Sequence, residues 1–143
     1  MANVAVIYWS GTGNTEAMAN AIAKGVEQAG GTLLLTEVGK ADADLVDNYD
    51  VIAFGCPSMG DEVLEESEME PYFADVEGKL SGKNIALFGS YGWGDGEWMR
   101  DWETRTKNTG ATLFQGEGFM VNESPGDDDL EKLIAYGAAL AAL

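Results

Sequence analysis

Short apolar runs alternate with segments of helical spacing along the chain. The runs are rich in branched residues and have the length of strands. They lie at residues 4–8, 33–38, 51–54, 85–88 and, less regularly, 112–121. Between them, apolar residues recur every three or four positions, as at Met18, Ile22 and Val26. Nearly continuous apolar strands separated by amphipathic helices are typical of a parallel sheet covered on both faces. We therefore predict a doubly wound α/β fold with five parallel strands.

The charge of the chain is strongly negative. It carries 25 acids against 8 Lys and Arg, which gives a net charge of −17, and it has no histidine. Twelve of the acids lie in residues 41–78, where there is no Lys or Arg. This charge disfavours nucleic acid as a partner. A concentrated negative field predicts a basic protein partner that docks transiently.

The length of 143 residues predicts a single domain over residues 1–143. The opening stretch, MANVAVIYWS, has no basic region before a signal-length apolar core, and no apolar run approaches the roughly 20 residues that span a bilayer. The one cysteine, Cys56, fits a reducing compartment. We therefore expect a cytoplasmic monomer that makes no membrane contact.

A glycine-rich loop follows the first apolar run, in the stretch YWSGTGNTEA at residues 8–17. Such a turn at a helix N-terminus presents free backbone N–H groups and the positive end of the helix dipole, which together bind anions. The loop adds neutral donors, and glycines that let the backbone approach a ligand. These residues are Ser10, Gly11, Thr12, Gly13, Asn14 and Thr15. Because ordinary helix capping needs only one hydroxyl, the cluster predicts a bound monophosphate.

Two other phosphate motifs fit this loop less well. A Walker A motif needs a lysine at its end, and no Lys or Arg precedes Lys24, which disfavours a nucleoside triphosphatase. The dinucleotide motif Gly-x-Gly-x-x-Gly begins at Gly11, but Glu16 occupies the third glycine position. Glu37, at the end of the second run, is the type of acid that binds an adenosine ribose. Dinucleotide binding therefore stays open as an alternative.

Two more loops with unusual composition follow the third and fourth apolar runs. They contain Pro57, Ser58, Met59, Gly60, Asp61 and Glu62, and Ser90, Tyr91, Gly92, Trp93, Gly94 and Asp95. Each loop places one large side chain, Met59 or Trp93, beside glycine. A thioether and an indole would desolvate the two faces of a planar ring such as a flavin. We interpret Cys56 and the tryptophans at positions 9, 98 and 102 as scaffold residues.

The phosphate loop SGTGNT and the two later loops resemble those of the flavodoxins, small proteins that carry electrons on FMN. The resemblance covers nearly the whole chain and is closest to the short-chain branch. It implies the strand order 2-1-3-4-5, for which flavodoxin is the reference example, with FMN at the switch point. It also implies that residues 10–15 hold the phosphate and that Met59 and Trp93 flank the ring. Glu62 would accept a hydrogen bond from the pyrimidine N3–H, and Gly92 and Gly94 would contribute backbone contacts at that edge.

The resemblance further implies a low-potential one-electron carrier, not an enzyme, that shuttles non-covalently bound FMN between semiquinone and hydroquinone. Gly60 has no Cβ, so the Gly60–Asp61 peptide could turn toward the flavin N5 in one redox state only. Acids near the ring would lower the second potential by repulsion. These acids are Asp61, Glu62, Glu65, Glu66 and Asp95.

Two other functions occur on the same or a related fold. An FMN-dependent quinone or nitro reductase on the same fold is the alternative to a carrier. A phospho-receiver domain is disfavoured, because it needs acids where the first and third strands end. Here those places hold the tripeptides at residues 8–10 and 55–57, which are Tyr-Trp-Ser and Gly-Cys-Pro.

Overall fold

The computed structural model describes residues 1–143, and strands alternate with helices along them. The elements are β1 (Asn3–Tyr8), α1 (Asn14–Gln28), β2 (Thr32–Glu37), β3 (Val51–Gly55), α2 (Met69–Val76), β4 (Asn84–Tyr91), α3 (Glu97–Lys107), β5 (Thr112–Leu113), β6 (Phe119–Asn122) and α4 (Asp127–Ala141). Short 3-10 helices lie at Val38–Lys40, Ala43–Asn48, Glu77–Lys79 and Phe114–Gly116. None of the helices combines the length and the apolar character needed to cross a bilayer.

The strands form one parallel sheet in the order β2-β1-β3-β4-β5, and β6 also pairs with β4. This confirms the predicted α/β class and strand order. Tyr8 of β1 pairs with Gly55 of β3, and Gly55 pairs with Phe88 of β4. The carboxyl ends of these three strands therefore meet at one edge of the sheet, and the three predicted loops begin there.

The predicted fifth strand is divided into two pieces. The run at residues 112–121 forms β5 and β6, and the chain leaves the sheet between them. Gln115 has a left-handed φ of 59° in this interruption. Nearby, the Gly118 N–H donates to Glu103 Oε2 at 2.7 Å, and a Cβ on Gly118 would lie 2.9 Å from Met99 Cγ. The interruption therefore lets the chain pack closely on α3.

Two apolar layers separate the sheet from its helices. On one face, Phe54, Phe73 and Trp102 belong to a core that joins the sheet to α2 and α3. On the other face, α1 and α4 cover the sheet. The composition of residues 55–70, in which glycine and proline are followed by dense acids, predicts a functional loop that runs into a solvated helix. In the structure, α2 buries Met69 and Phe73. The expectation was wrong because the acids of this segment mostly precede the helix, and the apolar residues that follow them are spaced to face the sheet.

Glycines make the contact between α1 and α4. A Cβ on Gly25 of α1 would lie 2.7 Å from the carbonyl carbon of Ile134 and 2.9 Å from the backbone nitrogen of Ala138. A Cβ on Gly137 of α4 would lie 2.8 Å from the carbonyl carbon of Ile22. The backbones of α1 and α4 therefore approach each other more closely than a residue with a side chain at position 25 or 137 would allow.

Candidate functional site

A cleft of about 270 Å³ opens at the carboxyl edge of the sheet, and we call it the main cleft. Eleven residues line it, and nine of them belong to the three loops singled out in the sequence. Those nine are Gly11, Thr12, Asn14, Pro57, Ser58, Met59, Ser90, Tyr91 and Gly92. The other two are Trp9 and Glu123. The fold thus brings segments far apart in the sequence into one site.

The phosphate loop, residues 10–15, is organised by Ser10. Its Oγ accepts hydrogen bonds from the N–H groups of Gly13 and Glu16, each at 3.2 Å. Gly13 has φ 98°, a left-handed conformation that glycine adopts without strain, and α1 begins at the next residue. The remaining first-turn N–H groups have no partner within the helix. The loop therefore holds its donors at a helix N-terminus, as an anion site requires.

Thr15 and Ser90, both predicted to bind the cofactor, contact each other, and only Ser90 lines the main cleft. Thr15 is 1% exposed, and its Oγ1 lies 3.2 Å from Ser90 Oγ at the end of β4. Asn14 lines the main cleft, and its Oδ1 accepts a hydrogen bond from Ser124 Oγ at 3.1 Å. Thr15 thus joins the start of α1 to the sheet, and Asn14 joins it to the chain after β6.

A tight hairpin, residues 59–63, follows β3. The N–H and C=O groups of Met59 and Val63 exchange two hydrogen bonds of 2.9 Å. Gly60 (φ 51°) and Glu62 (φ 58°) are both left-handed, and Gly60 and Asp61 are exposed at the tip. A Cβ on Gly60 would have only Val63 Cγ2 near it, at 4.0 Å. Backbone conformation, and not lack of space, therefore favours glycine at position 60.

The Glu62 carboxylate joins this hairpin to the loop after β4. It is 9% exposed, and its Oε1 accepts hydrogen bonds from the N–H groups of Asp95 at 3.3 Å and Glu97 at 3.2 Å. Gly94 has a left-handed φ of 85°, which favours glycine, and a Cβ there would lie 2.5 Å from the carboxyl carbon and displace the carboxylate. Both bonds are made by Oε1, and Oε2 stays available for another donor.

Trp93 and Met59 supply apolar surface beside the main cleft. Trp93 is 65% exposed, and Met59 is half-buried on the cleft wall. An exposed indole next to a mainly uncharged cleft marks a surface that a ligand can cover. Beneath them, Trp98 is buried against Tyr91, with ring centroids 5.6 Å apart, and donates its Nε1–H to the Cys56 carbonyl at 3.1 Å.

The structure separates scaffold tryptophans from a tryptophan at the site. Trp98 and Trp102 are each 1% exposed, which confirms their predicted scaffold role. Cys56 is also buried, and burial raises the pKa of its thiol to about 12, as expected for an inert core cysteine. Trp9 differs from the expectation, because it lines the main cleft. Its position directly after β1, at the edge where the loops meet, is the sequence signal that identifies it.

Glu123 is the second lining residue that sequence analysis missed. It comes directly after β6, which runs parallel to β4 and ends at the same edge of the sheet. The broken pattern of residues 112–121 hid where this strand ends. Knowing the register of β6 would have placed Glu123 beside the other three loops.

A second cleft, of about 300 Å³, lies on the other side of Trp9 and contains Glu37. Glu37 pairs with Lys40 at 3.3 Å, and Glu68 accepts a hydrogen bond from Trp9 Nε1 at 3.2 Å. The carboxylate considered for a dinucleotide ribose therefore lies outside the main cleft. Burial and a hydrogen bond to Glu16 raise the pKa of Tyr8, in the same cleft, to about 12.

The acids expected around the ring do not share one environment. Asp61 and Glu66 are exposed, whereas Asp95 pairs with Arg100 at 2.8 Å, and that ion pair lowers the pKa of Asp95. Glu65 is only 6% exposed and caps α2. It accepts hydrogen bonds from Ser67 and from the N–H groups of Glu68 at 2.7 Å and Met69 at 3.0 Å. Desolvation would raise the pKa of Glu65, but these hydrogen bonds outweigh it and lower the pKa below its ordinary value.

Replacing Glu65 with glutamine should lower the free energy of unfolding by about 1.5–3 kcal/mol at neutral pH, because charge-assisted hydrogen bonds are lost. Since the folded-state pKa is lowered, this stabilisation is complete above the ordinary value of 4.5 and is lost as the pH falls through the lower folded value. Urea unfolding of both proteins from about pH 8 to pH 3.5 measures the difference. E66Q, at an exposed neighbouring acid, is the control and should stay within about 0.5 kcal/mol. A wild-type advantage that does not narrow below about pH 4.5 would contradict this role.

Comparisons with known proteins agree with the geometry. The family model described as flavodoxin matches residues 6–137. The chain is 49% identical to a flavodoxin of Megasphaera elsdenii over 138 residues, which cover 96% of this chain and 99% of that one. It is 46% identical to a flavodoxin of Clostridium beijerinckii over 136 residues, which cover 95% and 97% of the two chains. The solution structure of two-electron reduced Megasphaera elsdenii flavodoxin has a TM-score of 0.89 at 48% identity and covers 98% of this chain and 99% of that chain.

Proposed function

Since this chain belongs to the flavodoxin family and is therefore an FMN-based electron carrier, we propose that residues 1–143 form one domain that binds FMN non-covalently in the main cleft and passes single electrons at low potential. The observation that carries this proposal is the main cleft, which is lined by residues at the N-terminus of α1, by the half-buried Met59 and by Gly92, the residue directly before the exposed Trp93. The family relationship favours a carrier over the quinone or nitro reductase alternative.

The phosphate loop would hold the FMN phosphate with backbone N–H groups and the side chains of Ser10, Thr12 and Asn14. Ser10 already accepts two hydrogen bonds, and its hydroxyl hydrogen is free to donate outward. Thr15 would not contact the phosphate, but its bond to Ser90 would fix the position of the first turn of α1. Neutral donors at a helix N-terminus suit a dianion and leave the site with an overall negative field.

Met59 and Trp93 would cover the two faces of the flavin ring and exclude water from it. Glu62 would accept the pyrimidine N3–H through Oε2, because Oε1 is already bound by the amides of Asp95 and Glu97. Those two bonds hold the carboxylate in place before the cofactor arrives. Such preorganisation reduces the entropy lost on binding.

FMN, when bound, supplies redox chemistry in two one-electron steps. The chain's own residues would separate the reduction potentials of these two steps, here called the first and the second potential. Gly60, left-handed and without steric contact, allows the Gly60–Asp61 peptide to turn at little cost and to hold the N5 proton after the first electron. Exposed acids such as Asp61 and Glu66 would oppose the second electron by repulsion.

A potentiometric titration of two variants tests this division of roles. In G60V, the branched side chain at positive φ should lower the first potential and raise the second, each by roughly 40–90 mV, since about 1–2 kcal/mol of strain opposes the turned peptide. D61N/E66Q should instead raise the second potential by about 30–140 mV at low salt and change the first less. The control E27Q/D50N makes the same charge change at the opposite edge of the sheet. Unchanged potentials in both variants, or an equal shift in the control, would contradict the proposal.

The redox partners of this carrier would be basic proteins that dock transiently on the acidic surface. The net charge of −17 supports this proposal. Exposed ion pairs are weak, and they raise the rate of association with an oppositely charged partner more than they raise the affinity. A monomer in the cytoplasm, where Cys56 stays reduced, fits this role. The rate of electron transfer from the reduced wild type to a small basic haem protein should fall as ionic strength rises, and less steeply in D61N/E66Q. A rate independent of salt would contradict the basic partner.

A further inference from the structure

Trp9 lies between the main cleft and the second cleft, and it lines both of them. Its backbone N–H donates to the Gly55 carbonyl at 2.9 Å, which continues the pairing of β1 with β3. The six-membered ring of its indole packs on the phosphate loop, because a Cβ on Gly11 would lie 3.0 Å from Trp9 Cη2 and 3.2 Å from Cζ3. The position of this indole therefore affects the backbone of the phosphate loop.

A hydrogen bond from a distant glutamate fixes the orientation of the indole. Trp9 Nε1–H donates to Glu68 Oε1 at 3.2 Å, although the two residues are 59 positions apart in the sequence. Glu68 does not line the main cleft, but it lines the second cleft on the other side of Trp9. Glu68 can therefore act on a ligand of the main cleft through Trp9 or through its charge, and not by contact.

The Glu68 side chain is itself held in place. The Glu68 N–H donates to Glu65 Oε1 at 2.7 Å, and the Glu68 carbonyl accepts the Tyr72 N–H at 3.1 Å, so the backbone is fixed at the start of α2. The carboxyl group lies against Gly39, where a Cβ would lie 3.3 Å from Glu68 Cδ and closer still to Oε2. The carboxylate can therefore keep this position only while residue 39 has no side chain.

The phosphate loop needs this kind of support. Groups that bind a ligand must be held within about 0.5 Å of their productive positions by the residues around them. Gly11 has no side chain of its own to anchor it, and the Trp9 ring packs against it. A single hydrogen bond at an exposed position adds little to the stability of the fold, but it can fix where an aromatic ring lies. The bond between Trp9 and Glu68 is suited to this second role.

We propose that Glu68 is a positioning residue for the phosphate loop, because it holds the Trp9 indole against Gly11 and so keeps the backbone donors of the loop aligned on the FMN phosphate. This inference rests on the proposed function, since it assumes that FMN occupies the main cleft. It gives one of the surface acids a role that depends on a hydrogen bond and not on negative charge.

Four variants and a control separate this role from an effect of charge. E68A removes the acceptor, E68Q keeps an acceptor oxygen without the charge, and W9F removes the donor but keeps an aromatic ring. G39A changes neither partner, but its methyl group would push the Glu68 carboxylate away from Trp9. The control E66A removes an exposed acid from the same segment.

The dissociation constants of FMN and riboflavin are measured for each protein by quenching of flavin fluorescence. E68A, W9F and G39A should each weaken FMN by about three- to tenfold, and riboflavin, which has no phosphate, by less than about twofold. E68Q should bind FMN within about twofold of wild type, because its amide oxygen still accepts the indole N–H. W9F/E68A and G39A/E68A should lose no more affinity than E68A alone. E66A should leave both constants within about twofold of wild type.

The indole N–H NMR signal of Trp9 in the apoprotein, identified by its loss in W9F, reports on the hydrogen bond without FMN. It should shift in E68A and G39A and stay in place in E66A.

The contrary results are distinguishable. Equal weakening of riboflavin would show a general disturbance of the cleft and overturn the assignment. An additive loss in W9F/E68A would mean that Glu68 does not act through Trp9, and tighter FMN in both E68A and E66A would mean that it acts by charge alone. If wild type fails to bind FMN, the proposed function itself fails, whereas wild-type FMN affinity in E68A rejects this inference alone.

Discussion

Alanine at Gly25 or at Gly137 should destabilise the protein by about 3 kcal/mol or more. Each new methyl group would overlap the backbone of the facing helix, at Ile134 and Ala138 for Gly25 and at Ile22 for Gly137. Backbone atoms cannot rotate away as a side chain can, so α1 and α4 would have to separate. That separation would open the core on their face of the sheet.

Local helix propensity alone predicts that these two substitutions would stabilise the protein. Alanine in a helix interior is favoured over glycine by about 1 kcal/mol, and both glycines lie inside helices. Urea unfolding followed by circular dichroism decides between packing and propensity. G78A is the control, because a Cβ on Gly78 would have no atom within 4 Å. Stability in G25A and G137A equal to that of G78A would contradict the close helix contact.

Aspartate at Thr12 should weaken FMN binding by roughly a hundredfold, a loss of about 3 kcal/mol. Thr12 is exposed and lines the main cleft within the phosphate loop. A carboxylate there would face the phosphate dianion at short range. The same charge near the N-terminus of α1 should leave the free energy of unfolding of the apoprotein unchanged or raise it by about 0.5 kcal/mol.

The control for this prediction is T12N, because asparagine has nearly the same shape as aspartate but carries no charge. Its FMN affinity should stay within about tenfold of wild type, since an amide can still donate to phosphate. Riboflavin, which has no phosphate, should bind T12D and T12N equally well. Equal losses of FMN and riboflavin in T12D would mean that Thr12 does not lie beside the phosphate.

The sequence was sufficient to predict the sheet because its strands are short, are mostly apolar and are separated by segments with helical spacing. The break between β5 and β6 was not predictable in this way. It depends on the left-handed Gln115 and on the packing of Gly118 against α3, which are tertiary effects. The burial of α2 was missed because dense acids just before it masked its apolar face.

The predicted site residues that line the main cleft belong to loops in which glycines and polar residues directly follow a strand. The main cleft contains nine residues of the three loops. Contacts between loops could not be inferred, because they join residues distant in the chain. Examples are the bonds from Glu62 to the amides of Asp95 and Glu97, and the Thr15–Ser90 pair. Trp9 and Glu123 were missed since neither belongs to a glycine-rich motif.

The most direct measurement of the central claim is a titration of the apoprotein with FMN, followed by stepwise reduction of the complex. We predict one FMN per chain, quenching of both flavin and tryptophan fluorescence as Trp93 becomes covered, and reduction in two separate one-electron steps with the second at lower potential. Apoprotein that does not bind FMN, or bound FMN that takes both electrons in a single step, would contradict the account.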